Sequence, residues 1–551
     1  MTSQLENEPT IMESGSHPGG RSATVEDVLD EIQREKSWRG LIIVALLLTT
    51  HASTAYVINY PNFGGFIPYT SWRCQENSTV CTERVGQYSK ENPDKSPYNS
   101  DVLCGKYGDN PAMTVKTDFI WDLPDGRNTY AIEWDIYCGT EFKGTLLSSL
   151  YFVGGFVGLL VGSFTYDTLG RRTTLIPGYS VVAACMLAAA VAPNIGVMMA
   201  IRVVMGIGSF MGVSGLYVYI IENTCSKWRG LVSSFIATCW GLGTGAVLPV
   251  FGYFITGWRW LSAAGGFLMF GSVLCWFIVP NSPRQLMENN NNQLAATKSL
   301  KRMAKLLGRK FDAKNTELIR SKKEAVAHSS YLDTLKEFLR YPELRIQVVI
   351  QMHQWVIVAF LYYGFTFSWS KLGKNIYLGY MFSGISEILA ALLCWFGQDV
   401  FGRRTTLVSL YLAGGASFLL ALVPLSFGSQ NVLTMEQLMC LIGAMAVSGA
   451  WGTNYLYVAE QSPTNQRGKI SAVCSIAARL GSFAGPQASL LFTWNKTATL
   501  VFFSVLAISA GLIALRLPET KGRQSPNSAQ EVQERRRNSL ERRRGEISAS
   551  S

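Results

Sequence analysis

DTLGRRTTL at residues 167–175 returns as DVFGRRTTL at residues 399–407, and each copy stands between two long apolar runs. A second element repeats with it. Glu222 is followed after six residues by Arg229 and Gly230, and Glu460 after six residues by Arg467 and Gly468. The exits echo as well, Pro280 against Pro518. Three matches in the same order, at offsets of 232 to 238 residues, imply two similarly folded halves. Each half surrounds its own copy of a charged turn.

The material between these turns is apolar. Of 551 residues, 48% are hydrophobic and 16% charged, against roughly 25% charged in ordinary soluble domains. The apolar residues gather into runs such as Leu41 to Tyr60 and Val181 to Val204, each long enough to cross about 30 Å of hydrocarbon as a helix. Spans are expected at 39–60, 143–164, 174–192, 197–221, 231–254, 260–280, 345–367, 376–397, 405–425, 436–459, 469–492 and 498–517. The fold class is therefore an all-α polytopic membrane protein with 12 transmembrane helices in two pseudo-symmetric six-helix bundles, residues 39–280 and 345–517. Parallel repeats of this kind suit an alternating-access carrier, with its site between the halves at mid-membrane.

The formal charge of +11 does not point to nucleic acid, because it sits between spans. The loop at 61–141 carries 12 acids against 7 bases, and the linker at 281–344 carries 13 bases against 7 acids. The positive-inside rule makes the first external and the second cytoplasmic. Cys74, Cys81, Cys104 and Cys138 lie in the external loop (domain bounds 61–142), where two disulfides are expected in one of three pairings. Of the sequons at Asn77 and Asn495, Asn77 is the expected glycan carrier. No cleavable signal precedes the first span. The tails at 1–38 and 518–551 are both expected in the cytoplasm, the latter with arginine runs at 535–537 and 542–544. TVEDVLDEIQ (24–33) reads as a short helix capped by Thr24, and LAATKSLKRMAKLLG (294–308) as a basic amphipathic helix lying on the inner membrane surface.

The repeated DxxGRR element resembles the inner-loop motif of the major facilitator superfamily. EWDIYC (133–138), RVVMGIGSFMGVSGLYVYIIE (202–222), KWRG (227–230), GWRW (257–260), NSPRQL (281–286) and the cysteine-bearing loop make the chain similar to the organic cation, anion and carnitine transporters, solute carrier family 22, from about residue 24 to 522. Two departures stand out. Ser163 and Trp395 occupy the usual opening glycine of the inner-loop motif, and Asn281 replaces the usual acid of the exit motif, whereas Glu519 in LPETKG keeps its counterpart.

Asp167, Arg171, Arg172, Glu222 and Arg229, with Asp399, Arg403, Arg404, Glu460 and Arg467, read as a cytoplasmic gate. Acids and bases at inner helix ends could pair when those ends converge and part when they diverge. The plainer alternative is that the arginines only fix topology.

Ionisable residues inside spans point to function. Arg479 in the eleventh span is the expected substrate contact, Glu387 in the eighth is poised between a structural pair and a substrate-facing charge, and Arg202 in the fourth reads as structural or gating. The resemblance implies an anion- or zwitterion-type arginine at ARLGS (478–482), although Ala391 stands where anion carriers often add a second base. One acid and one base suggest a zwitterion. Tyr217, Trp240, Tyr362, Tyr363, Phe367 and Tyr455 would supply faces for a quaternary ammonium. Gly154, Gly155, Gly158 and Gly162 read as helix packing.

No metal-ligand spacing, phosphate loop or catalytic constellation is present, so no cofactor and no enzyme is expected. The reading is a plasma-membrane transporter of small organic ions, preferring a carnitine-like zwitterion or organic anion, in a bilayer and compatible with a sodium or proton coupling ion. The alternatives are an organic cation carrier and, from another class, a non-transporting receptor or scaffold.

Overall fold

The computed structural model describes residues 21–33, 38–67, 72–93, 96, 98–104, 118–122, 127–224, 238–290, 292–309, 311, 316–319, 331–372, 375–423, 435–463, 466–523, 526, 528–535 and 537–538. Twelve long helices run through them. In the first half these are Trp38–Gly64, Phe142–Thr168, Arg171–Ala190, Ile195–Glu222, a fifth described over 238–254, and Trp258–Ile278. In the second half they are Pro342–Leu372, Ile376–Val400, Arg403–Leu420, Met435–Gln461, an eleventh from Arg467 to Trp494, and Lys496–Ala514. Seven of them are long and apolar enough, by length and composition, to cross a membrane.

Most helix ends fall within a few residues of expectation. The third and ninth helices begin three and two residues earlier than the apolar runs, because Gly170 (φ 104°) and Gly402 (φ 92°) turn the chain just before paired arginines. A side chain is strained at such a φ, so the DxxGRR spacing places a tight turn before each helix. The eleventh helix narrows to a 3-10 turn at Gly485–Gln487, and the fifth widens to a π turn at Gly243–Val247.

The two halves repeat the same internal contacts. Arg171 pairs with Glu222 and Arg403 with Glu460. Tyr219 donates to the Pro280 carbonyl and Tyr457 to that of Pro518. Ser282 donates to Glu222, and Thr520 to Glu460. Within the first half, Gly154 lets the second helix meet the fourth: a Cβ there would lie 2.0 Å from the Val203 carbonyl oxygen. The expected close packing of this glycine stripe is therefore present at Gly154.

Above one end of the bundle, which we call the disulfide end, lies the loop domain. Its bonds are Cys74–Cys81 and Cys104–Cys138, which resolves the pairing, and Trp72–Cys74 pairs antiparallel with Phe119–Trp121. Asn77 is exposed in the turn before the helix Thr79–Glu91. Glu133 fastens the loop to the sixth helix: it accepts from Trp258 Nε1 at 2.7 Å and pairs with Arg259 at 2.5 Å. Partial burial pushes the Glu133 carboxyl up, but the bonds from Arg259 and Trp258 outweigh it and hold the group below its ordinary value.

At the opposite, arginine end, the helix Val25–Gln33 is capped as expected, Thr24 and Asp27 exchanging bonds. It changes the reading of the basic amphipathic helix, observed at Gln293–Leu307. Val28, Leu29 and Ile32 cover its apolar face at Ala296, Leu300, Met303 and Leu307, so protein rather than lipid buries that stripe.

Candidate substrate seam and gate

Glu387 is a buried carboxylate in the eighth helix. Its Oε1 accepts from the Tyr362 hydroxyl at 2.6 Å, and that hydroxyl in turn accepts from Trp240 Nε1 at 2.8 Å. Trp240 belongs to the first half, Tyr362 and Glu387 to the second, so this chain of bonds crosses between the halves. Glu387 Oε2 has no hydrogen-bond partner among the described residues. Beside it, Tyr362, Thr366, Ser383, Ser386 and Ser448 help enclose a cavity of about 10 Å³, room for roughly one water.

Arg479 lies across the same seam, 6% exposed. Its guanidinium sits 4.4 Å from the Phe210 ring centroid, a residue of the first half, and its Nε donates to the Ser475 carbonyl at 3.2 Å. Its buried Nη1 has no partner among the described residues. Rings join the two charges. Phe210 packs on Phe152, Phe152 on Tyr363 at 4.5 Å, and Tyr363 on Tyr362 at 5.0 Å, with Trp451 5.4 Å from Tyr362. The seam thus holds a basic and an acidic side chain at opposite ends of an aromatic row, neither paired with the other.

Of the expected substrate residues, Trp240, Tyr362, Tyr363, Glu387 and Arg479 come together here. Phe367 is buried in the core one turn beyond Tyr363. Tyr455 is about half exposed and stands edge-on to Trp355 at 4.5 Å. The side chain of Tyr217 lies outside the described residues. Arg202 is fully buried: it donates to the Val57 carbonyl at 2.9 Å and lies over the Tyr151 ring, while its Nε has no hydrogen-bond partner among the described residues.

Sequence reasoning passed over several partners. His51, one of four histidines in the chain, packs 5.0 Å from the Trp240 ring; a histidine inside an apolar run was the available signal. Phe152 and Phe210 carried none, since phenylalanine is ordinary in a span.

At the disulfide end the two halves touch. Thr145 donates to Gln487 Oε1 at 2.7 Å, Gln487 Nε2 to Ser149 at 3.1 Å, and Ser149 to the Phe483 carbonyl at 2.6 Å. Tyr377 donates to the Gly252 carbonyl at 3.3 Å. Backbones touch at Gly245 and Gly384, where a Cβ on either would lie 2.4 Å from the other's Cα.

At the arginine end, Arg171 Nη2 lies 3.1 Å from Glu222 Oε1, and Arg403 Nε 3.2 Å from the Glu460 carboxylate. Each pair stays within its own half. Glu519 receives the backbone N–H groups of Arg403 and Arg404, at 2.8 and 3.0 Å, as well as those of Thr520 and Lys521. Burial raises the Glu519 carboxyl, yet these four donors bring it below the ordinary glutamate value. In the first half, where Asn281 replaces the acid, Gln285 fills the place: its Oε1 accepts from the Arg171 backbone at 3.0 Å. Asp399 is exposed in the last turn of the eighth helix, and Arg467 is half-buried. Arg229 and the side chain of Asp167 lie outside the described residues.

Residues 129–486 match the family model of the Major Facilitator Superfamily. The chain is 27% identical to an organic cation transporter protein of Drosophila melanogaster, covering 89% of this chain and 90% of that one. It is 26% identical to human solute carrier family 22 member 2 (78% and 75%) and 26% identical to human organic anion transporter 3 (75% and 76%). Among solved structures, the proton:xylose symporter XylE bound to a bromodeoxyglucose superposes with a TM-score of 0.56 at 16% identity, covering 88% of this chain and 97% of that one. An inward-open form of the E. coli xylose transporter also gives 0.56, at 15% identity over 89% and 98%.

Proposed function

Since the chain belongs to the Major Facilitator Superfamily, as an integral membrane transporter of the solute carrier family 22 type for small organic ions, we propose that its cargo is a carnitine-like zwitterion or an organic anion. The observation that carries this reading is the pair of uncommitted atoms in the seam, Arg479 Nη1 and Glu387 Oε2. A buried charge left unpaired is costly, and a substrate of complementary charge would complete both. Its carboxylate would pair with Arg479, where a guanidinium can offer a fork of donors. Its cationic or apolar end would lie along Tyr362, Tyr363 and Trp240, with Glu387 behind them, each ring contributing about 0.5 to 2 kcal/mol to a cation.

The contacts between the halves suggest the cycle. With the halves in contact at the disulfide end and only a water-sized cavity at Glu387, rocking of the halves would open the seam to a solute. The charged residues of the arginine end would exchange partners as their helices converge. On this reading that end and both termini face the cytoplasm, the disulfide loop and Asn77 face outward with Asn77 glycosylated, and the protein resides in the plasma membrane. Sodium or a proton would serve as the coupling ion.

A second reading, an organic cation carrier, is favoured by the hold that Phe210 and the Ser475 carbonyl already have on Arg479, which would leave Glu387 and the rings to select the cargo. Uptake of carnitine, tetraethylammonium and p-aminohippurate, with and without sodium, separates the two. Arg479→Asp is expected to abolish carboxylate uptake selectively; unchanged carboxylate uptake rejects the zwitterion and anion reading.

A further inference from the structure

The two halves differ in charge at the ends of their last helices. In the second half, among the described residues, Arg404 alone reaches the Leu517 carbonyl, at 3.4 Å, with Glu519 bound to its backbone. In the first half the equivalent polar groups, Asn281 and Gln285, are neutral, and there are two arginines. Arg172 Nη2 donates to the Phe277 carbonyl at 3.3 Å, and Arg302 Nη2 donates to that same oxygen at 3.1 Å and to the Ile278 carbonyl at 3.2 Å. Arg171 beside them is balanced by Glu222. Among the described residues no carboxylate pairs with Arg172 or Arg302, and the buried Nε of Arg172 has no hydrogen-bond partner.

Two guanidinium groups drawn to one carbonyl oxygen repel each other. The carboxyl end of the sixth helix offsets part of this through its dipole, but among the described residues the local excess is two full positive charges. Lys298 and Lys305 extend it, since they lie four residues before and three after Arg302 on the same helix face, both exposed.

The surroundings narrow the kind of anion that would suit this charge. Phe267, Phe270 and Phe277 are 65%, 52% and 52% exposed and form an apolar stripe along the sixth helix. Such a stripe on a membrane helix faces acyl chains, and the arginine pair stands where it ends. A group with negative oxygens at that height and an apolar body below it would satisfy both features. We propose that Arg172 and Arg302 form a binding site for the phosphate of an anionic phospholipid, with its chains along the phenylalanine stripe and Lys298 and Lys305 at its headgroup.

The full-length transporter in detergent, titrated with phosphatidylglycerol or with phosphatidylcholine of the same chains and read by native mass spectrometry, tests this. Phosphatidylglycerol is expected to be retained preferentially. Arg302→Gln, at an exposed position, should weaken that retention by about fivefold, the size expected for one cation at a membrane surface, and Arg172→Gln should act in the same direction. Arg404→Gln, at the equivalent turn of the other half, should leave retention unchanged. Equal retention of the two lipids, or Arg302→Gln retaining phosphatidylglycerol like the wild type, overturns the proposal. Displacement of the lipid by millimolar inorganic phosphate overturns the lipid as its ligand in favour of a soluble anion.

Discussion

Tyr362 does two jobs with one hydroxyl: it accepts from Trp240 and donates to Glu387. Removing that oxygen leaves the indole N–H and the carboxylate buried without each other's intermediary. Hydrogen bonds to charged groups contribute about 1.5 to 3 kcal/mol, so Tyr362→Phe should lower thermal stability in detergent and disturb the contact between halves. Trp240→Phe removes a neutral donor, about 0.5 to 1.5 kcal/mol, together with part of the ring that packs on His51. Equal melting temperatures for wild type and Tyr362→Phe would show that the bond to Glu387 adds nothing.

The caps of the third and ninth helices are the same device built from different chemistry. Glu519 binds the ninth helix through an ionised carboxylate, and Gln285 binds the third through a neutral amide. The folded-state value of Glu519 is depressed. Its contribution is therefore present above the ordinary glutamate range near pH 4.3 and is lost as pH falls through the depressed value. Thermal melts should show the penalty of Glu519→Gln at neutral pH and its disappearance in acid, whereas the penalty of Gln285→Ala should not vary with pH. A pH-independent Glu519→Gln penalty would mean that the carboxylate's charge is irrelevant to the cap.

For the molecule as a whole, the contacts between the halves at the disulfide end are the ones that rocking would have to break. Thr145 and Gln487 belong to different halves and touch, so the double replacement Thr145→Cys with Gln487→Cys should form a cross-link under mild oxidation. Uptake is expected to fall to background and to return on mild reduction, because rocking needs these helices to part. Full uptake by the cross-linked protein would exclude opening at this end from the cycle.

Much of this was written along the chain. Hydropathy placed the helices because a bilayer admits few structures other than complete helices, and the DxxGRR repeat gave the duplication and its turns, since glycine followed by paired arginines reports local backbone geometry and interfacial charge. Arg479 and Glu387 were visible because ionised groups are rare in spans. What neighbours them was less so: His51 stands out only as a histidine in an apolar run, and Phe152 and Phe210 look like any residues of a span until two halves bring them face to face. Nor could sequence foresee that Gln285 would stand in for an acid, that Arg172 and Arg302 would share one carbonyl, or that the apolar face of Gln293–Leu307 would be covered by the helix Val25–Gln33. Periodicity and charge are properties of neighbours along the chain, whereas pairing between residues more than a hundred positions apart is decided only when packing fixes which surfaces meet.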